Sequence, residues 1–276
     1  MPFNIIFLWS EIMNENLENY SELIDRLKSG DRSTFRNDLG ILVQKFGSHR
    51  PLEDVAKLSF ENKELLRVLL ELTKENGQGN KLGVFAFHTS RQVGPIAIPY
   101  IREEWKRDEG APLLHYLHLC LMDIIGASTI EEEWQHWMPI IAEQEIPLWI
   151  AMLPGKETKS RGLIAWSLGL LTKYAPAQAE QVGRSIIDLL EDTDYWVQIY
   201  TVRGLHSIGD KTMLQDALFP LARVAHDPGP LELLLSLSEN IDVNARDSRG
   251  KTALMYAEES GNKKKAEMLE QAGAME

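Results

Sequence analysis

The amino-acid sequence predicts an all-α protein made of antiparallel helical pairs. Two observations carry this expectation. Apolar residues recur three and four positions apart in nearly every segment, and no segment shows the sustained alternation of a half-buried strand. The links between these segments are roughly two to six residues long, which lays each helix antiparallel to the next. The spacing predicts helices over 17–28, 32–46, 51–58, 61–75, 80–90, 95–107, 112–126, 130–142, 145–153, 158–173, 176–190, 194–208 and 211–225, followed by two shorter helical pieces. No Gly/Ser/Pro-rich linker divides the chain. Three regions, 1–98, 99–229 and 230–276, are therefore expected to form one continuous body.

Composition narrows the function classes. The chain has 276 residues, with 44% hydrophobic and 25% charged residues, an ordinary balance for a globular protein. Its formal net charge is −12. That charge opposes non-specific nucleic-acid binding, which needs basic surface to neutralise phosphates, and suits a basic protein partner. The single cysteine, Cys120, excludes an internal disulfide framework and fits a reducing compartment. There is no apolar run long enough to span a membrane. The apolar start (Phe3, Ile5 to Trp9) lacks the basic flank and cleavage site of a signal peptide. The expected location is cytoplasmic, with this start packed on the body.

The middle of the chain repeats itself. Arg161-Gly162-Leu163-Ile164-Ala165-Trp166-Ser167-Leu168-Gly169-Leu170-Leu171 aligns with the run from Asp192-Thr193-Asp194-Tyr195-Trp196-Val197-Gln198 to Gly209, at an offset of 37 residues (Leu168 on Leu205, Leu171 on Ile208). Each run precedes a second candidate helix, Ala179–Leu190 and Met213–Val224. Asp192 and Asp194 suit a helix start, by capping and by the macrodipole. These units resemble HEAT repeats, with 112–126 and 130–142 as an earlier, degenerate pair. In such repeats a small residue sits where paired helices cross, a role for Ser167 and Gly204, and Gln198 stands where the family usually has Arg.

The end of the chain carries a second resemblance. Asp247, Gly250, Thr252, Leu254, Ala257, Gly261, Met268-Leu269 and Gly273-Ala274 fall at the spacings of an ankyrin repeat. Gly250 suits a turn with positive φ, Thr252 caps the first short helix, and Gly273 ends the second. Ala253 replaces the usual Pro, and Lys263-Lys264-Lys265 makes the second helix polar, as expected of a terminal capping repeat. Leu231 to Leu235 followed by Asp242-Val243-Asn244 resembles the back half of a preceding repeat. Together the resemblances imply an α-solenoid of HEAT-like helical pairs with a C-terminal ankyrin-like cap. One and a half ankyrin repeats need upstream neighbours to complete a core, and the HEAT-like stack supplies them.

Gly250-Lys251-Thr252, four residues after Ala245, also fits a loose phosphate-binding loop. That reading needs a hydrophobic strand before the loop and a sheet after it, and too few residues remain to build one. His115, His118 and Cys120 are close in sequence, but Cys120 points elsewhere on the helix and no second ligand pair follows, so no metal is expected. Glu103-Glu104, Glu131-Glu132-Glu133 and Glu258-Glu259 read as solvated helix ends. Gly77-Gln78-Gly79 reads as a turn. No motif of a catalytic nucleophile appears, and no cofactor is implied.

The candidate binding residues are aromatic–acidic clusters. Trp134 and Trp137 share a helix face behind Glu131, Glu132 and Glu133, and Trp196 stands beside Asp192 and Asp194. Exposed tryptophans beside acids form hot spots for a basic partner; buried ones are core, with the acids as caps. The expected function is a non-enzymatic binding or scaffold protein that grips a basic protein, with inhibition in the manner of an immunity protein as its specific form. The alternative is a HEAT-like enzyme or nucleic-acid-binding protein with a pocket in the stack, as in the glycosylases of similar architecture.

Overall fold

A computed structural model describes residues 94–107, 114–127, 132–155, 158–224, 227–238 and 241–275. The predicted helices before residue 93 and the Gly77-Gln78-Gly79 turn lie outside the described residues. The chain divides into two compact units, Met1–Glu104 and Trp105–Glu276. The described part of the first unit is a short 3₁₀ turn, Gly94–Ala97, and the start of helix α1 (Ile98–Arg107), with Ile98 and Ile101 fully buried.

The second unit continues as α2 (Leu114–Ala127), α3 (Glu132–Met152), α4 (Thr158–Leu171), α5 (Ala179–Ile186), α6 (Tyr195–Ile208), α7 (Lys211–Arg223), α8 (Gly229–Leu237), α9 (Ala253–Glu259) and α10 (Lys263–Gln271). Every regular element among the described residues is helical. Alternate helices touch. One row runs α2, α4, α6, α8; the other runs α3, α5 with its 3₁₀ extension Ile187–Glu191, then α7 and α9.

The helix boundaries follow from local chemistry. Asp194 Oδ1 accepts from the backbone N–H groups of Trp196 (2.8 Å) and Val197 (3.3 Å), capping α6. Asp210 Oδ1 does the same for Thr212 and Met213 at α7. These side chains satisfy donors that have no intrahelical partner. Gly209 ends α6 with φ 75°, where a side chain would be strained.

α3 departs from expectation. The sequence spacing predicts a break between 142 and 145, yet one helix of 21 residues runs through Pro139 and Pro147. A proline frees the carbonyl four residues earlier. For Pro147 that carbonyl belongs to Glu143, and Gln178 Nε2 donates to it at 2.9 Å. A side chain 35 positions away thus replaces the missing helix bond.

Among the described residues the most extensive helix contact is α4 on α6. It is set by glycine. A Cβ on Gly169 would lie 2.2 Å from the Gly204 carbonyl oxygen, and one on Gly204 would lie 2.5 Å from that of Ala165. A Cβ on Gly162 would meet Val197 Cα at 2.9 Å. Gly162 opposes Val197 and Gly169 opposes Gly204, so the two helices run side by side in the same direction. The small residues therefore meet between alternate helices, at Gly169 and Gly204. Ser167, expected at a crossing, is instead hydrogen-bonded: its Oγ donates to Leu163 O at 2.9 Å and lies 3.0 Å from His118 Nδ1.

Filling this seam forces the helices apart, and overpacking of this kind costs about 1–3 kcal/mol or more. Gly204→Val is expected to lower the free energy of unfolding by at least about 2 kcal/mol. Chemical denaturation followed by circular dichroism measures it, and Ser207→Ala, on the same helix but half-buried, serves as the control.

Candidate interaction surface

The close approach of α4 and α6 brings their aromatic side chains together. Trp196 and Tyr200 are one turn apart on α6 and share a face. Their rings stack at 5.8 Å with 28° between planes. Tyr200 in turn stacks on Trp166 of α4, at 5.6 Å and 15°. Arg203, one turn beyond Tyr200, lies over the Trp166 ring at 4.9 Å, a cation–π contact. Tyr195 meets Trp196 edge-on at 5.2 Å. Tyr195 also covers Gly229 at the start of α8: a Cβ there would meet its hydroxyl at 2.9 Å.

The run continues inward. His118 of α2 lies 4.8 Å from Trp166, Trp105 lies edge-on to His118 at 6.4 Å, and Trp149 of α3 lies edge-on to Trp105 at 5.3 Å. Trp105 and Trp149 are fully buried, whereas Trp196 is 51% exposed and Tyr195 is 38% exposed. The aromatic run thus begins in the core and ends at the surface. Ser167 Oγ, which donates to Leu163 O, also lies within hydrogen-bond distance of His118 Nδ1. Burial raises the pKa of Tyr200, against a smaller lowering by Arg203.

The acids beside Trp196 are engaged within the fold. Asp192 Oδ2 pairs with Arg161 at 2.5 Å, and its Oδ1 accepts from the Asp194 N–H at 2.9 Å. Asp194 is the α6 cap. Gln198, buried where the resembled family carries Arg, donates from Nε2 to Asp192 O at 2.8 Å. Both carboxylates build the α6 start and thereby present Trp196.

The other predicted cluster is only partly described. Glu131 lies outside the described residues, and so do the side chains of Glu132, Glu133 and Trp134 in the first turn of α3. Trp137 is 42% exposed, with His136 edge-on at 5.5 Å. Its cluster and that of Trp196 sit on helices of different rows. Cys120 is buried, and the side chain of His115 is outside the described residues. Among the described residues no group of three His, Cys, Asp or Glu side chains could hold a metal ion. No described helix is long and apolar enough to cross a membrane.

The C-terminal turn is built on Asp247. Its Oδ1 accepts from the N–H groups of Arg249 (2.8 Å) and Lys251 (3.0 Å), and its Oδ2 from the Tyr256 hydroxyl (2.6 Å). Gly250 takes φ 74°. Thr252 Oγ1 accepts from the Met255 N–H at 3.3 Å, capping α9. The phosphate-loop alternative finds none of its geometry here. Residues 241–252 form turns with no strand before them, and Lys251 Nζ is held by both carboxylate oxygens of Glu259, at 2.6 and 2.7 Å.

Two anchoring residues escaped sequence reasoning. Asn244 donates from Nδ2 to Gly273 O (3.0 Å) and accepts from the Met275 N–H (2.8 Å), fastening the chain end. Lys265 lies in a stretch read as polar surface, yet it is buried. Its Nζ donates to Leu221 O at 2.5 Å and Val224 O at 2.7 Å, two carbonyls at the C-terminal end of α7. Burial lowers its pKa to about 8, against the raising influence of Asp227. No family model matches the chain, and no curated protein matches its sequence.

Two measurements probe this surface and its neighbour. Asp194→Ala removes the α6 cap and is expected to cost about 1 kcal/mol, read as a lowered denaturation midpoint with an unchanged slope. The Asp247 carboxyl is held down to about 2 from 3.8, mainly by the Tyr256 hydroxyl. A carboxyl depressed on folding stabilises the fold above its ordinary pKa, and that contribution fades as pH falls through about 2. Tyr256→Phe is expected to move the Asp247 titration upward toward 3.8, followed by carboxyl-carbon NMR.

Proposed function

We propose that the chain is a non-enzymatic helical-repeat protein that binds a basic protein partner. In this reading the helices form a HEAT-like solenoid with an ankyrin-like cap, and the partner docks where Trp196 and Tyr195 emerge from α6. The observation that carries the proposal is the aromatic run that starts in the core and ends on an indole more than half exposed. A large aromatic held rigid from behind loses little entropy on binding and is the usual anchor of a protein interface. A solvated tryptophan with no such backing would be a poorer anchor.

The arrangement of the two rows also supports the solenoid. Alternate helices in contact along each row, with α4 and α6 running in the same direction, are what stacked helical pairs produce. The basic partner follows from the net charge of −12, which steers positively charged proteins toward the surface. The expected action is occlusion: binding of this kind suits an inhibitor of a basic protein, the way immunity proteins act. A positively charged side chain of the partner laid on Trp196 would repeat the contact that Arg203 makes with Trp166.

Affinity capture from native lysate tests the proposal, with the wild-type chain and Trp196→Ala as parallel baits. A basic protein retained by the wild type at low and moderate salt, and released about tenfold more readily by Trp196→Ala, is the expected result. Capture of no partner by the wild type, or tight binding of DNA at low salt instead, overturns the reading.

A further inference from the structure

Among the described residues the stack of Trp166, Tyr200 and Trp196 carries a cation at one end only. Arg203 lays its guanidinium over Trp166 at 4.9 Å. Tyr200 stacks on Trp166, and Trp196 stacks on Tyr200. Tyr200 therefore covers one face of the Trp196 indole. The other face opens to solvent, since the residue is 51% exposed. Tyr195 stands beside it with 79° between the ring planes, so the two rings make a corner with a floor and one wall. The face of an indole is electron-rich and attracts cations.

The charges around the corner favour a cation as well. Asp194 caps α6 through Oδ1, and among the described residues its Oδ2 accepts no hydrogen bond. Asp227 adjoins Tyr195: a Cβ on Gly229 would lie 2.9 Å from the Tyr195 hydroxyl and 3.1 Å from Asp227 Oδ1. That Oδ1 accepts from the Gly229 N–H at 2.8 Å, and the residue is exposed. Lys265 feels its charge but directs its Nζ to the carbonyls of Leu221 and Val224. Of the other charges between 191 and 203, Glu191 pairs with Arg223, Asp192 pairs with Arg161, and Arg203 lies over Trp166. Two carboxylates, one at the start of α6 and one at the start of α8, are thus left beside the corner.

We infer that this corner receives an arginine side chain of the partner protein, its guanidinium flat on the open face of Trp196 and directed by Asp194 and Asp227. A guanidinium is planar and weakly hydrated, so it stacks on a ring while its fork meets a carboxylate; an ammonium is compact and holds its water. The protein makes the same contact within itself, where Arg203 lies on Trp166. The inference rests on the partner reading above and adds the chemistry of the contacting group.

The test uses the full chain with its indole nitrogens labelled, and two end-blocked peptides of equal charge. One alternates glycine with arginine, the other glycine with lysine. Titration at low salt, followed by NMR of the indole N–H groups, is expected to move the Trp196 resonance and leave those of buried Trp105 and Trp149 in place; Trp196→Phe assigns it. The arginine peptide is expected to bind at least about threefold more tightly than the lysine peptide. Asp194→Asn and Asp227→Asn keep an acceptor for the backbone N–H but lose the charge. Each is expected to weaken the arginine peptide about twofold or more, with little change in unfolding midpoint. Equal affinity for the two peptides, a Trp196 resonance that stays in place, or both Asn variants binding like the wild type overturns the inference. If a basic protein is still retained through Trp196 in that case, the partner reading stands without it. An arginine peptide bound as expected, with no protein captured from lysate, supports the corner and counts against the partner.

Discussion

The second unit depends on the seam between α4 and α6. Gly169 and Gly204 meet with no room for a Cβ on either, and this fixes both the separation of the helices and their relative height. From that height follows the pairing of Trp166 with Tyr200, and from the pairing follows the outward place of Trp196, one turn before Tyr200. The cap at Asp194 completes the geometry from the other side. It starts α6 where Trp196 can emerge, and Asp192 ties that start to α4 through Arg161. Removal of van der Waals gaps between backbones is worth little per atom, but it accumulates along two turns of contact.

The acidic character of the chain divides into two roles. Asp192, Asp194, Asp210 and Asp247 are bound to backbone N–H groups. They shape helix starts and turns. The remaining excess of negative charge is a property of the surface as a whole, and acts over a distance set by ionic strength. Affinity on such a surface comes from aromatic anchors, and charge contributes mainly to the rate of encounter. This division explains why the aromatic clusters, and not the carboxylates beside them, carry the proposed binding site.

What was legible in the sequence was local. The helices from 158 onward stand within a few residues of their expected bounds, because apolar spacing and capping residues such as Asp194 and Thr252 act over one or two turns. The turn at Asp247 and Gly250 was legible for the same reason. What was not legible depended on distant partners. The continuity of α3 through Pro147 rests on the Gln178 side chain. Burial of Lys265 rests on two carbonyls of α7. The offset of 37 residues between the two repeat units aligned like with like in sequence, whereas in space Gly162 opposes Val197 and Gly169 opposes Gly204, because helix packing is set by ridges and small residues. Exposure of Trp137 and Trp196 was open in the sequence, since a tryptophan at helical spacing reads alike in core and interface.

The most direct measurement of the account is hydroxyl-radical footprinting of the free protein, read tryptophan by tryptophan by mass spectrometry. The packed run predicts fast oxidation of Trp196, slower oxidation of Trp166, and protection of Trp105 and Trp149. It further predicts that Gly204→Val raises the reactivity of Trp166 as the seam opens. Protection of Trp196 as strong as that of Trp149 would contradict the account, because the surface it rests on would not exist.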